Sequence, residues 1–231
     1  MNLIVASAGV LVGVLVWWLA VRRLMTRPWE SQAVPEGPER TAASDAAPQR
    51  VGLWAFLAVI TSLFGLFVTA YTIRMSAHPS TGITLGDWQP VPEPSILWLN
   101  LVLLVFGSVG MQVARVAAGR GQAALARSGL LAGGAFALLF LVGQLLAWQQ
   151  LQAAGYYLSG NPANAFFFVL TGLHGLHVVG GLLVWGRAVA RLGRGGDEAL
   201  RAVRLTIELC AVYWHFLLVV WLVLFGLLLI T

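Results

Sequence analysis

Residues 206–230 read TIELCAVYWHFLLVVWLVLFGLLLI, an almost unbroken apolar run whose one charged side chain is Glu208. At 1.5 Å rise per residue, about 20 residues in a helix cross the roughly 30 Å hydrocarbon core of a bilayer. In lipid a helix satisfies its own backbone hydrogen bonds, whereas a lone strand does not. The run is also too long and too continuous for one of the roughly ten-residue alternating strands of a membrane barrel. It therefore reads as a transmembrane helix. Five more such runs lie upstream, at about 3–21, 52–73, 96–118, 129–151 and 164–186. The expected fold class is all-α: a polytopic membrane helix bundle of six transmembrane helices.

Composition agrees. The chain has 231 residues, 59% of them hydrophobic and 10% charged, with a mean hydropathy of +0.83. A soluble domain carries about 25% charged residues, so a soluble enzyme, a disordered chain and a secreted disulfide scaffold are all set aside. Cys210 is the single cysteine and has no internal partner. A net charge of +5 would suggest nucleic acid in a soluble chain. Here the charges fall between the apolar runs and report orientation instead.

All 14 basic residues are arginine. Arg22, Arg23, Arg27, Arg40 and Arg50 follow the first run. Arg115, Arg120 and Arg127 flank the gap between the third and fourth, and Arg187, Arg191, Arg194, Arg201 and Arg204 join the fifth to the sixth. Only Arg74 falls on the other side. Short loops with this bias are cytoplasmic, which puts both termini on the periplasmic face. Trp17, Trp18, Trp54 and Trp185 sit at predicted inner ends, and Trp98 and Trp148 at outer ends, as an aromatic belt requires. Trp214 and Trp221 lie deep in the last span, seven apart and so on one stripe, which suggests a packing seam.

The first run lacks the basic leader of a signal peptide, so residues 1–24 read as a retained transmembrane anchor. Residues 25–50, rich in Pro, Ala, Glu and Ser and without apolar periodicity, read as a mobile cytoplasmic linker. Residues 51–231 form the expected five-helix core. No internal repeat is visible, which counts against a permease of inverted halves.

Ionisable side chains at lipid depth are costly and are functional candidates by default. The fifth span carries His174 and His177; the sixth carries Glu208 and His215. His177 and His215 each stand about nine residues, some 14 Å, from the inner end of their spans, so the two imidazoles are expected level with each other and able to meet. Glu208 and His215 share a stripe two turns apart. Thr171, His174 and His177 line one face, and Gly172, Gly175, Gly180 and Gly181 offer small surface to a neighbouring helix. Two readings of the histidines compete. One is haem or metal ligation, since neutral imidazole is the commonest metal ligand. The other is buried imidazoles bonded to nearby carbonyls, hydroxyls or lipid headgroups. A metal site normally adds carboxylates or cysteines, and few are near. Arg204 and Glu208 have the i, i+4 spacing of a helix-surface ion pair. Asn100, Gln112 and Gln144 are expected to bridge helices. No phosphate-binding loop, nucleophile with base, or paired carboxylate is present, so no catalytic residue is expected.

Two segments carry a resemblance. Phe166–Gly181, FFFVLTGLHGLHVVGG, resembles the FF-TG-HGLHV-G signature of subunit III of haem-copper terminal oxidases. Glu208–Trp221, ELCAVYWHFLLVVW, is similar to that family's final-helix pattern, a glutamate followed by YWHF-D-VVW. Gly52–Phe56, Leu99–Asn100 and Phe140–Trp148 add weaker matches, and the likeness runs from about residue 50 to the end. It implies a subunit without a redox centre, packed on subunit I beside subunit II and small subunits. It also implies bound phospholipid, haem and copper confined to the partner subunits, support of proton uptake, and a bacterial inner-membrane location. His174, His177, Glu208, Trp214, His215 and Trp221 stand at family positions; Trp54 and Arg204 are the implied lipid contacts. Three positions depart from the pattern. Ile60, Ala147 and Leu218 stand where the family usually has carboxylates, which weakens any proton-collecting role.

Overall fold

A computed structural model describes residues 40–75, 88, 91–92, 94–193, 195 and 197–230, with side chains from residue 48. Among these residues there are five helices: α1 (Arg40–Met75), α2 (Ile96–Gly119), α3 (Ala123–Ala153), α4 (Pro162–Leu192) and α5 (Asp197–Leu229). Each contains a stretch long and apolar enough to cross a membrane. The all-helical reading and the last five spans are borne out. The anchor expected over residues 1–24 lies outside the described residues.

The chain divides into two units, Met1–Arg74 and Met75–Thr231. In the first, α1 begins at Arg40, ten residues before the end of the stretch read as a linker from the absence of apolar periodicity. Ala42, Ala43, Ala46 and Ala47 explain the difference, because alanine is the strongest helix former and needs no apolar periodicity to propagate a helix already anchored in lipid. Leu57, Ile60, Phe64 and Tyr71 are buried along one stripe, while Val59, Leu66 and Ile73 are exposed. The hydroxyls of Thr61, Ser62 and Thr69 donate to carbonyls one turn back at 2.8–2.9 Å, which keeps them satisfied in lipid.

The second unit is a ring of four helices in which α2 packs on α3, α3 on α4, α4 on α5, and α5 back on α2. Two connections are tight. At the end of α2, Gly121 adopts φ 73°. The N–H of Gln122 then reaches Ala117 O at 3.0 Å, and that of Gly121 reaches Ala118 O at 3.3 Å. The end of α3 repeats the pattern with Gly155 at φ 88° and Tyr156 N–H on Leu151 O at 2.9 Å. Both are glycine-terminated stops that recover carbonyls left over at a helix end. Asn161 starts α4 by accepting the Ala163 N–H at 3.0 Å, with Pro162 in the first helical position.

In lipid the apolar side chains gain nothing by turning from solvent to a neighbour, so helices associate through close packing and hydrogen bonds. The α2/α3 seam shows the first. A Cβ on Gly129 would lie 2.7 Å from Ala114 N, and one on Gly110 would lie 2.8 Å from Gly133 N. Backbone meets backbone there. Between α3 and α4, Trp185 occupies the space that a Cβ on Gly134 would need and donates its indole N–H to Leu130 O at 2.7 Å.

Candidate functional site

His174 is fully buried in the middle of α4. Its ring packs edge-on against Phe140 of α3 at 5.5 Å and lies tilted against Trp221 of α5 at 5.2 Å. Phe140 and Trp221 themselves meet edge-on at 5.0 Å, and Phe225 stacks beyond Trp221 at 6.5 Å. The three helices thus share one aromatic knot. Trp214 is buried on the same stripe of α5, and a Cβ on Gly181 would stand 3.1 Å from its ring. The large rings of α5 seat against bare backbone on α4. Gly172 receives Trp148 in the same way, at 3.2 Å. The neighbouring glycines expected to act likewise differ: Gly175 has only Leu141 nearby, and Gly180 faces open space.

His177 and His215 do not form a pair. The His177 ring folds back onto its own helix, with Nδ1 at 2.7 Å from Leu173 O. Its carbonyl accepts the Tyr213 hydroxyl from α5 at 2.9 Å. His215 turns the other way, toward α2, where Nδ1 meets the Ser108 hydroxyl and Nε2 lies 3.2 Å from Gln112 Oε1. Equal spacing from the span ends is therefore not adjacency: where a side chain points is set by the rotation of each helix about its own axis.

The α2/α5 contact is where polar groups gather. Ser108, Gln112 and Arg115 follow an i, i+4, i+7 spacing, a polar stripe on α2 of which Arg115 and Gln112 stand out in the sequence singly, as a flanking charge and a bridging amide, and Ser108 does not. Facing it on α5 are Arg204, Glu208 and His215. Gln112, Arg115, Val116, Gly119, Arg204 and Glu208 line a groove of about 440 Å³. Arg204 and Glu208, expected as an i, i+4 pair, thus share the wall of one groove.

The expected helix bridges through amides are present. Asn100 Nδ2 donates to Gln144 Oε1 at 3.2 Å between α2 and α3, and both side chains are buried. Trp148 donates its N–H to Thr171 Oγ1 at 3.0 Å, and Thr171 donates onward to Phe167 O at 2.7 Å. Trp54 is half-buried on α1. Ile60 and Ala147, two of the positions where a carboxylate was expected from the resemblance, are buried, and Leu218 is half-buried. Among the described residues, no three His, Cys, Asp or Glu side chains come together in a way that would hold a metal ion. Cys210 is buried as a free thiol.

Comparison with known proteins identifies the pattern. The family model described as cytochrome c oxidase subunit III matches residues 5–230. The chain is 30% identical over 89% of its length to cytochrome c oxidase subunit 3 of Synechocystis sp., covering 88% of that protein. It is 29% identical over 81% of its length to cytochrome c oxidase subunit 3 of Corynebacterium diphtheriae, covering 91% of it. It is also 28% identical over 77% of its length to the heme-copper oxidase subunit I+III of Aeropyrum pernix, of which it covers 22%.

Proposed function

Because the chain belongs to the cytochrome c oxidase subunit III family, we propose that within its respiratory haem-copper oxidase it is a non-catalytic, lipid-binding subunit. It packs on subunit I and supports proton uptake and the durability of oxygen reduction. The observation that carries this reading is the separate engagement of the three intramembrane imidazoles. His174 is walled by Phe140 and Trp221, His177 turns onto Leu173 O, and His215 lies between Ser108 and Gln112. Bis-histidine haem ligation needs two rings facing each other across a flat macrocycle, and these three serve three different contacts. The relative from Aeropyrum pernix, named as subunit I+III, supports subunit I as the neighbour: two polypeptides joined in one chain elsewhere are natural partners when separate. Subunit II and small subunits complete the complex, and haem and copper reside in the partner subunits.

Phospholipid contacts are assigned to Trp54 in the first unit and Arg204 in the second, each taken by itself, while His174, His177, Glu208, Trp214, His215 and Trp221 are assigned to lipid contact or helix packing. The location assigned is a bacterial inner membrane, and the bias of thirteen arginines to one side of the spans supports a cytoplasmic face on that side and periplasmic termini. The test is the visible spectrum of the purified complex carrying His174→Ala, His177→Ala or His215→Ala. Each variant is expected to keep the Soret and α bands and the haem content per complex unchanged. Loss of one haem per complex in any of them would favour a histidine-ligated membrane cytochrome instead.

A further inference from the structure

The groove between α2 and α5 has the chemistry of a phosphate receptor. Arg115 and Arg204 enter it from opposite walls, and Arg204 reaches across α5 to α2, its Nη2 lying 3.9 Å from where a Cβ on Gly119 would stand. Glu208 is the one carboxylate in the lining, so the formal charge of the groove is positive. The third donor follows from the hydrogen bonds above it. Gln112 offers its Oε1 to His215 Nε2 at 3.2 Å, which makes Nε2 the protonated ring nitrogen and leaves Nδ1 to accept from the Ser108 hydroxyl. With its oxygen so committed, the Gln112 amide has its two N–H hydrogens left for the groove. Two guanidiniums and an amide N–H₂ form a donor set that matches a phosphate, which only accepts, and arginine forks suit its oxygens in pairs.

The position of the groove identifies what carries the phosphate. It runs from Gly119, the last residue of α2, to Gln112, about 10 Å along the helix, the depth of a headgroup rather than of the bilayer centre. On the same helix Val116 belongs to the lining, and with Val113 and Val109, 40%, 38% and 54% exposed in that order, it forms an apolar strip that starts at the groove and runs past its Gln112 end. A free anion has no use for that strip, whereas an acyl chain lies along it. We propose that the α2/α5 groove binds the phosphodiester of an anionic phospholipid, held by Arg115, Arg204 and the Gln112 amide, with an acyl chain along the valine strip of α2. This rests on the lipid-binding reading above and adds to it a place, a ligand charge and two residues, Gln112 and Arg115.

The test is native mass spectrometry of the whole oxidase complex, delipidated in detergent and exchanged into phosphatidylglycerol or, separately, phosphatidylcholine. The wild-type complex is expected to retain one more phosphatidylglycerol than the R115Q/R204Q complex, and R127Q, on the separate hollow between α3 and α4, is expected to behave as wild type. Loss of the two charge-assisted contacts is expected to raise the phosphatidylglycerol concentration for half-retention about tenfold or more. Phosphatidylcholine is expected to be held no better by wild type than by the double variant, and added inorganic phosphate is expected not to displace the bound lipid. If R115Q/R204Q does not assemble, the wild-type preference for phosphatidylglycerol over phosphatidylcholine, with the R115K/R204K complex retaining it, decides the matter. Equal retention by wild type and R115Q/R204Q, equal retention of the two lipids, or displacement by inorganic phosphate overturns this site and leaves the broader lipid-binding reading standing. A wild-type complex that retains no phospholipid of either kind overturns that broader reading as well.

Discussion

Placing a methyl group on Gly129 tests how the α2/α3 seam holds. The Cβ would stand 2.7 Å from Ala114 N, 2.9 Å from Gly110 O and 3.0 Å from Ala114 Cα. All three atoms are backbone. Non-bonded heavy atoms rest near 3.5 Å, so the helices must separate by about 0.8 Å along this line. Such overpacking costs about 1–3 kcal/mol. Gly133 makes a graded control, since its nearest atoms are Cε and Cγ of the Met111 side chain at 2.9 and 3.0 Å, and methionine is flexible enough to give way. Gly180 has nothing within 4 Å. Every glycine-to-alanine change inside a helix also gains about 1 kcal/mol of propensity, and this gain cancels when the three variants are compared. Gly129→Ala is therefore expected to be less stable than Gly180→Ala by about 1–3 kcal/mol, with Gly133→Ala between them. The assay is unfolding of the purified protein by SDS in mixed micelles, followed by near-ultraviolet circular dichroism. Equal midpoints for Gly129→Ala and Gly180→Ala would refute the backbone-to-backbone seam.

Three further outcomes are expected. Trp221→Ala removes the ring joining α3, α4 and α5, with a loss of about 3 kcal/mol in the same SDS titration, at the low end for a buried tryptophan because lipid supplies no transfer term; no change would mean that the knot does not hold these helices. A double-mutant cycle of Ser108→Ala and His215→Leu is expected to give a coupling of about 0.6 kcal/mol, and at most about 1.7, the range of hydrogen bonds between membrane helices; zero coupling would mean that the bond between them carries no stability. Asn100→Leu alone strands the buried Gln144 amide and is expected to cost about 1–3 kcal/mol, and the Asn100→Leu/Gln144→Leu protein is expected to recover part of that in the same assay; a double variant worse than the sum of its singles would contradict this.

Span positions were legible because length and apolarity are properties of the chain alone. The five described helices fall where the runs from residue 52 onward put them. The start of α1 was not legible from apolar periodicity: alanine propensity carries the helix back to Arg40, where hydrophobic pattern is silent. Which glycines would matter was partly readable. Gly172 and Gly181 stand out beside the histidines, yet the tightest backbone-to-backbone contact among the described glycines lies at Gly110 and Gly129, in segments without a notable motif. That depends on which faces of two helices meet, a choice made by rotation about each axis. The same rotation separates His177 from His215, which the spacing along each span does not reveal. The groove was half legible. Arg204, Glu208 and His215 were visible as charges and imidazole near lipid depth. Ser108, Gln112 and Arg115 supply the opposite wall, and only the pairing of α2 with α5 brings the two sets together.

The claim on which the rest depends is that this chain serves an oxygen-reducing complex while carrying no redox centre itself. The most direct measurement is affinity purification of the tagged chain from its native membrane in mild detergent, with haem, copper and subunit stoichiometry taken before and after the chain is dissociated. The expected result is co-purification with a haem- and copper-bearing subunit I, and a dissociated chain with no Soret absorbance and no stoichiometric iron or copper. A dissociated chain that retains one haem or one copper, or a chain that purifies without any haem-bearing partner, would contradict it.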